Sequence, residues 1–228
     1  ADGNSHSMDA EGNESYASSD GSSGTVNADG SSTHTDADGN SHSMDAEGNE
    51  SWEGADGSTA TMNADGSGTY TGADGTTASM DSEGNGSYEM ADGSSGTWDA
   101  DGGGTYTDAD GSSGSYSADG SYSHTDADGN SHSVDAEGNE SYAGADGSSG
   151  TMSADGSSTH TDAEGNSSTT DADGGGTYTD ADGSSGSYSA DGSSTHTDAD
   201  GNSFSGDAEG NGSWESADGS SGTYSADG

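Results

Sequence analysis

An acidic residue followed by glycine recurs every nine residues from Asp2-Gly3 to Asp227-Gly228, without one insertion or deletion in 228 residues. Cut at that period, the chain is a single uninterrupted array, 1–228, of 25 nonapeptides and a final Ala-Asp-Gly. It reads as a segment of a longer repeat chain. A strict short period means that each repeat is one small structural unit stacked on its neighbours. Position 1 of the unit is Ala or Ser, position 2 is Asp or Glu, and position 3 is Gly.

The other positions alternate between two kinds of unit. In even units position 7 is aromatic or His: Tyr16, His34, Trp52, Tyr70, Tyr88, Tyr106, His124, Tyr142, His160, Tyr178, His196 and Trp214. In most odd units the large residue moves to position 8, as in Met8, Val26, Met44 and Trp98. The full repeat is therefore 18 residues. A still longer pattern, NSHSMD or NSHSVD followed by AEGNES, begins at Ala1 and Ala37 and returns at Ala127 after a slip of one 18-residue step.

Side chains alternate faces along a strand, so one large residue per unit, displaced by one position in successive units, suits two walls of a flattened coil. Glycine after the acid supplies a turn at each corner. The expected fold is all-β, a parallel β-solenoid of β-roll type built from 18-residue coils, each made of two nonapeptide units. The position-7 rings form the expected stacking ladder along it.

Charge sets the partners. There are 45 Asp and Glu, no Lys or Arg, and 7 His. Nucleic acid and anionic membranes would be repelled, and divalent cations are the natural counterpart. No apolar run is long enough to span a membrane as a helix. Where position 9 is Asp, the junction reads Asp-Ala-Asp-Gly, which places two carboxylates at a turn: Asp36 and Asp38, Asp108 and Asp110, Asp126 and Asp128, Asp198 and Asp200. These pairs offer the hard oxygen ligands that Ca²⁺ prefers, so Ca²⁺ is the expected cofactor.

The nonapeptide period, the 18-residue coil and the Asp/Gly-rich turns resemble the calcium-binding β-roll of RTX repeats. That likeness implies a coil of this size and Ca²⁺ between its turns. The letters differ, since one Gly per unit is invariant here where that family has adjacent glycines, so no ligand carries over by position.

Six Asn-x-Ser triplets, at Asn13, Asn49, Asn85, Asn139, Asn166 and Asn211, are candidate glycosylation sites. All six follow a Glu at position 2. His34, His124, His160 and His196 share their position with Tyr and Trp, which favours a ring-stacking role over metal ligation. Ser, His and Asp in STHTD alternate along one strand and cannot assemble a catalytic triad there, so no enzyme is expected. The expected function is a structural repeat protein forming an extracellular or cell-surface fibre or stalk, acidic and cation-stabilised. Its partners are further copies of itself, end to end or side by side, with glycans on the surface. The alternative is an ice-binding or adhesin spacer module with a flat Ser/Thr face.

Overall fold

Four residues of strand and five of turn account for every nonapeptide. The computed structural model describes residues 3–227. Strands occupy positions 5 to 8 of each unit: β1 is Ser5–Met8, β2 Glu14–Ala17, β3 Ser23–Val26, β4 Ser32–Thr35, β5 Ser41–Met44 and β6 Glu50–Glu53, and the series continues to β25 at Ser221–Tyr224. Two compact units divide the chain, Ala1–Gly111 with β1 to β12 and Ser112–Gly228 with β13 to β25. Within each, every strand pairs antiparallel with the one before and the one after.

The turn explains why. In the connection after β4, Gly39 N–H donates to the Asp36 carbonyl at 3.2 Å and Asp36 N–H to the Asn40 carbonyl at 2.9 Å, with Gly39 at φ +95°. This is a type I turn closed by a left-handed glycine bulge, a three-residue hairpin loop. It reverses the chain completely, so the next strand lies beside the last. The same pair of bonds recurs along the chain, and all 25 described position-3 glycines have φ between +73° and +100°.

The expected parallel β-solenoid is thus corrected to an all-antiparallel meander, and an 18-residue repeat is a hairpin rather than a coil. The resemblance to RTX β-rolls ends with the period. The one-residue phase shift has a different cause from the two walls it suggested. Register pairs position 6 with position 7 and position 5 with position 8, as in His6 with Tyr16 and Met8 with Glu14. Directly opposed residues share a face. Displacing the large residue from position 8 to position 7 therefore keeps it on the same face as the chain reverses.

Consequently the sheet is sharply two-sided. Even positions 5 and 7 and odd positions 6 and 8 form one face, which carries the rings and methionines. Even positions 6 and 8 and odd positions 5 and 7 form the other, which is Ser and Thr with a few Ala and Glu. Neither face is covered. No hydrophobic side chain is buried among the described residues, and Met8 and Met152 are 62% and 57% exposed.

Candidate functional surfaces: turns, rings and hydroxyls

Turn chemistry absorbs the carboxylates. At the first of the expected metal pairs, Asp36 Oδ1 accepts the backbone N–H groups of Asp38 and Asn40, both at 2.9 Å, and Oδ2 accepts Asn40 Nδ2–H at 2.7 Å. Asp126 and Asp198 do the same with Asp128 and Asn130 and with Asp200 and Asn202. Asp38, Asp128 and Asp200 sit exposed at the outer corner of the turn. Asp108 and Asp110 hold the equivalent positions after β12 (Gly104–Thr107), where Gly111 N–H reaches the Asp108 carbonyl at 2.9 Å. Among the described residues no three His, Asp or Glu side chains converge on a point where a cation would bind.

Two capping schemes share the work. Wherever position 4 is Asn with a position 9 before it, that position 9 is Asp, in nine turns of nine. There the Asn amide holds the Asp carboxyl below the ordinary 3.8, as at Asp9, Asp45, Asp135 and Asp207. Where position 4 is Ser or Thr, the position-2 Asp usually takes over and accepts from the residue two further on. Asp29 Oδ1, for example, accepts Ser31 N–H at 3.0 Å and Ser31 Oγ–H at 2.7 Å. These bonds hold Asp29, Asp65 and Asp155 below 3.8 as well. Glu is too long to make that two-residue reach. It stands at position 2 only in the six turns where a position-9 Asp already caps: Glu11, Glu47, Glu83, Glu137, Glu164 and Glu209.

The six candidate glycosylation residues belong to this scheme. Asn13, Asn49, Asn85, Asn139, Asn166 and Asn211 each donate Nδ2–H to the Asp four residues back. Each also accepts, at Oδ1, the N–H of the Ala fifteen residues on, at 2.8–3.1 Å. The Asn side chain therefore ties its own turn to the next turn along the same edge. A glycan on Nδ2 would leave that nitrogen a single hydrogen.

All twelve residues of the expected ladder lie at the equivalent register on the ring face, on alternate strands. They meet in short groups rather than as a continuous column. Tyr16 stacks on His34 at 6.1 Å and Tyr178 on His196 at 6.1 Å, and each Tyr hydroxyl hydrogen bonds with His Nδ1, at 2.5 and 2.7 Å, the hydroxyl donating when the imidazole proton is on Nε2. Tyr142 and His160 repeat the arrangement. Trp52 stacks instead on His42 at 5.0 Å, and His42 Nε2 lies 3.0 Å from Glu50 Oε2. Several intervening strands set a glycine opposite the ring. A Cβ on Gly24 would come within 2.5 Å of the Tyr16 hydroxyl, and one on Gly96 within 2.7 Å of the Tyr88 ring, so these rings lie flat across a neighbouring glycine.

Sequence reasoning missed the continuity of the opposite face. Within each of the two units every strand contributes a Ser or Thr to a central row, at position 6 of even repeats and position 7 of odd ones. Twelve hydroxyl pairs, each spanning eight residues, hydrogen bond across that row at 2.7–2.9 Å, among them Ser7–Ser15, Thr25–Thr33, Thr61–Thr69 and Thr151–Thr159. The signal was in the letters: eleven of the twelve pairs match Ser with Ser or Thr with Thr, Ser187–Thr195 being the exception.

These features define a class, the single-layer antiparallel β-meander whose turns are capped by carboxylates and whose faces both stand open. No family model matches the chain, and no curated protein matches it. Among solved structures it is similar to the TCP10 domain of Danio rerio CPAP in complex with a STIL peptide, at 18% identity over 75% of this chain and 95% of that one, with a TM-score of 0.47. A CPAP G-box domain, in work suggesting a role in centriole elongation, is 18% identical over 74% and 98%, with a TM-score of 0.40. The TCP domain of Drosophila melanogaster SAS-4 with a proline-rich motif of Ana2 is 17% identical over 59% and 86%, with a TM-score of 0.36. The similar structures are domains of centriole proteins and not extracellular calcium-binding fibrils. The expected extracellular or cell-surface location and calcium-binding fibril are corrected against these neighbours, and no other location takes their place. No helix of the described residues is long and apolar enough to cross a membrane.

Proposed function

We propose that the chain is a non-enzymatic structural repeat protein, a scaffold whose two unlike sheet faces are its working surfaces and whose partners are proteins, further copies of itself first. The observation that carries this is the segregation of side chains: rings on one face, hydroxyls on the other, carboxylates confined almost wholly to the turns. Only six of the 45 carboxylates lie in strands. Divalent cations, Ca²⁺ among them, enter as counter-ions along the acidic turns and not as the occupants of a built site. Negative-stain microscopy with far-UV circular dichroism tests the reading. Sheet-rich particles that associate at high concentration support it; a chain without β signal overturns it.

The hydroxyl row of each unit favours one second reading, recognition of an ordered, hydroxyl-rich or water-rich surface such as ice. Rows of hydroxyls about 4.8 Å apart from strand to strand and about 6.8 Å apart along a strand form a regular two-dimensional array. Thermal hysteresis and shaped ice crystals are the expected result. Their joint absence removes this reading and leaves the scaffold untouched.

A further inference from the structure

The ring face is the largest unexplained surface of the molecule. Fourteen of the fifteen exposed large hydrophobic side chains lie on it, the exception being Met90 in a turn. Surfaces of that kind mark contacts with other molecules. We propose that it is covered by the same face of a second copy, giving a two-layer sandwich with both hydroxyl faces outward; the proposal rests on the scaffold reading and adds which surface joins and to what.

Three observations select a second copy as the occupant. The first is area. Thirteen four-residue strands in the second unit, about 3.4 Å per residue and about 4.8 Å apart, present roughly 850 Å², close to the roughly 800 Å² per partner of a standard stable interface. The second is charge. The ring face holds only Glu14, Glu50 and Glu140 of the 45 carboxylates, and each has a His nitrogen 3.0–3.5 Å away, from His6, His42 and His132 respectively. The third is fit. Tyr16, Tyr88, Tyr142 and Tyr178 fold flat over facing glycines, and the Tyr16 and Tyr178 hydroxyls, hydrogen-bonded to His34 and His196, need no water once covered. A foreign cover would have to match the spacing of these rings, whereas a second copy does so by construction, as a two-fold interface requires.

The acidic turns oppose the pairing from the rim. Stacked sheets sit about 10 Å apart, near one Debye length at about 0.1 M salt. Association should therefore strengthen as salt rises, the reverse of a contact made by charge attraction.

The protein carries its own probes, because Trp52, Trp98 and Trp214 all belong to this face. The test is sedimentation velocity on the full chain from about 1 µM to about 200 µM, at about 0.05 M and about 0.5 M NaCl, with acrylamide quenching of Trp emission on the same samples. The expected result is a mass doubling that is stronger in high salt, with quenching falling about threefold in step. The variant Tyr70→Ser/Tyr88→Ser/Tyr142→Ser/Tyr178→Ser should weaken the dimer at least about tenfold, and the hydroxyl-face control Thr61→Ser/Thr151→Ser should not. A monomer at every concentration overturns the proposal, as does a dimer whose Trp residues stay equally quenchable. Should the Tyr variant not fold, the wild-type quenching decides alone. A monomer that keeps its β signal sinks the sandwich and spares the scaffold reading, and loss of the β signal sinks both.

Discussion

Replacing one aspartate by glutamate should matter or not according to which residue caps its turn. Asp56 receives Ser58 N–H at 2.9 Å and Ser58 Oγ–H at 2.6 Å, so Asp56→Glu removes the cap and should lower amide protection in that turn. Asp38 shares its turn with Asp36 and Asn40, and Asp38→Glu should be near neutral. Amide hydrogen exchange at each turn reads the difference. Asn49→Ala breaks bonds to Asp45 and to Ala64 N–H, and the Ala64 amide should lose about tenfold in protection. Glycines divide likewise. Gly57, at φ +89° with open space around it, would take a methyl group at a backbone cost of about 1 kcal/mol, whereas Gly96→Ala would lift the Tyr88 ring. The capping carboxylates also fix a pH limit. Their folded values lie below 3.8, so the stability they confer is present above that value and is lost as pH falls through the lower folded values. Turn protection should hold at pH 5 and decline below about 3.8, followed by exchange or circular dichroism.

At the scale of the hairpin, the hydroxyl pair is the element to test. Thr61→Val alone leaves Thr69 without its 2.8 Å partner, while the double change to Val removes both groups together. A double-mutant cycle should return a coupling of about 0.5–1 kcal/mol, and additive losses would mean the bond contributes nothing. Much of this element was legible beforehand. Period, strand class and the position of the turns all follow from the letters. Direction did not, because a period of 18 is shared by a two-strand coil and a two-strand hairpin. What separates them is pairing at a distance of eight: Thr25 with Thr33, Ser43 with Ser51, and Tyr88 or Tyr142 with the glycine that its ring covers. A solenoid relates like to like only at 18. The carboxylate pairs at 36/38, 126/128 and 198/200 read as ligands because turn capping and cation binding favour the same residues, and the matched Asn at position 4 is the letter that marks the capping role.

Among the described residues neither unit has a buried hydrophobic core to melt. Within each unit every strand touches its sequence neighbours, so contacts are local and folding should be fast, with unfolding spread over many partly frayed states rather than one sharp transition. Screening should widen the stable range: because 45 carboxylates face no Lys or Arg, raising NaCl from about 0.02 M to about 0.3 M should raise the thermal midpoint of the β signal. Excess EDTA at fixed ionic strength separates screening from specific Ca²⁺ coordination, and screening alone predicts no change.

The alternation of register has a consequence for how such a gene can change length. Removing 18 residues deletes a hairpin and returns every downstream strand to its own face. Removing nine sets an odd strand in an even place, and all that follows would turn its rings toward the hydroxyl side. Unequal crossing-over in this array is therefore silent in steps of 18 and disruptive in steps of nine. The pattern that begins at Ala1 and Ala37 and resumes at Ala127 is displaced by 18, the step that inheritance can keep.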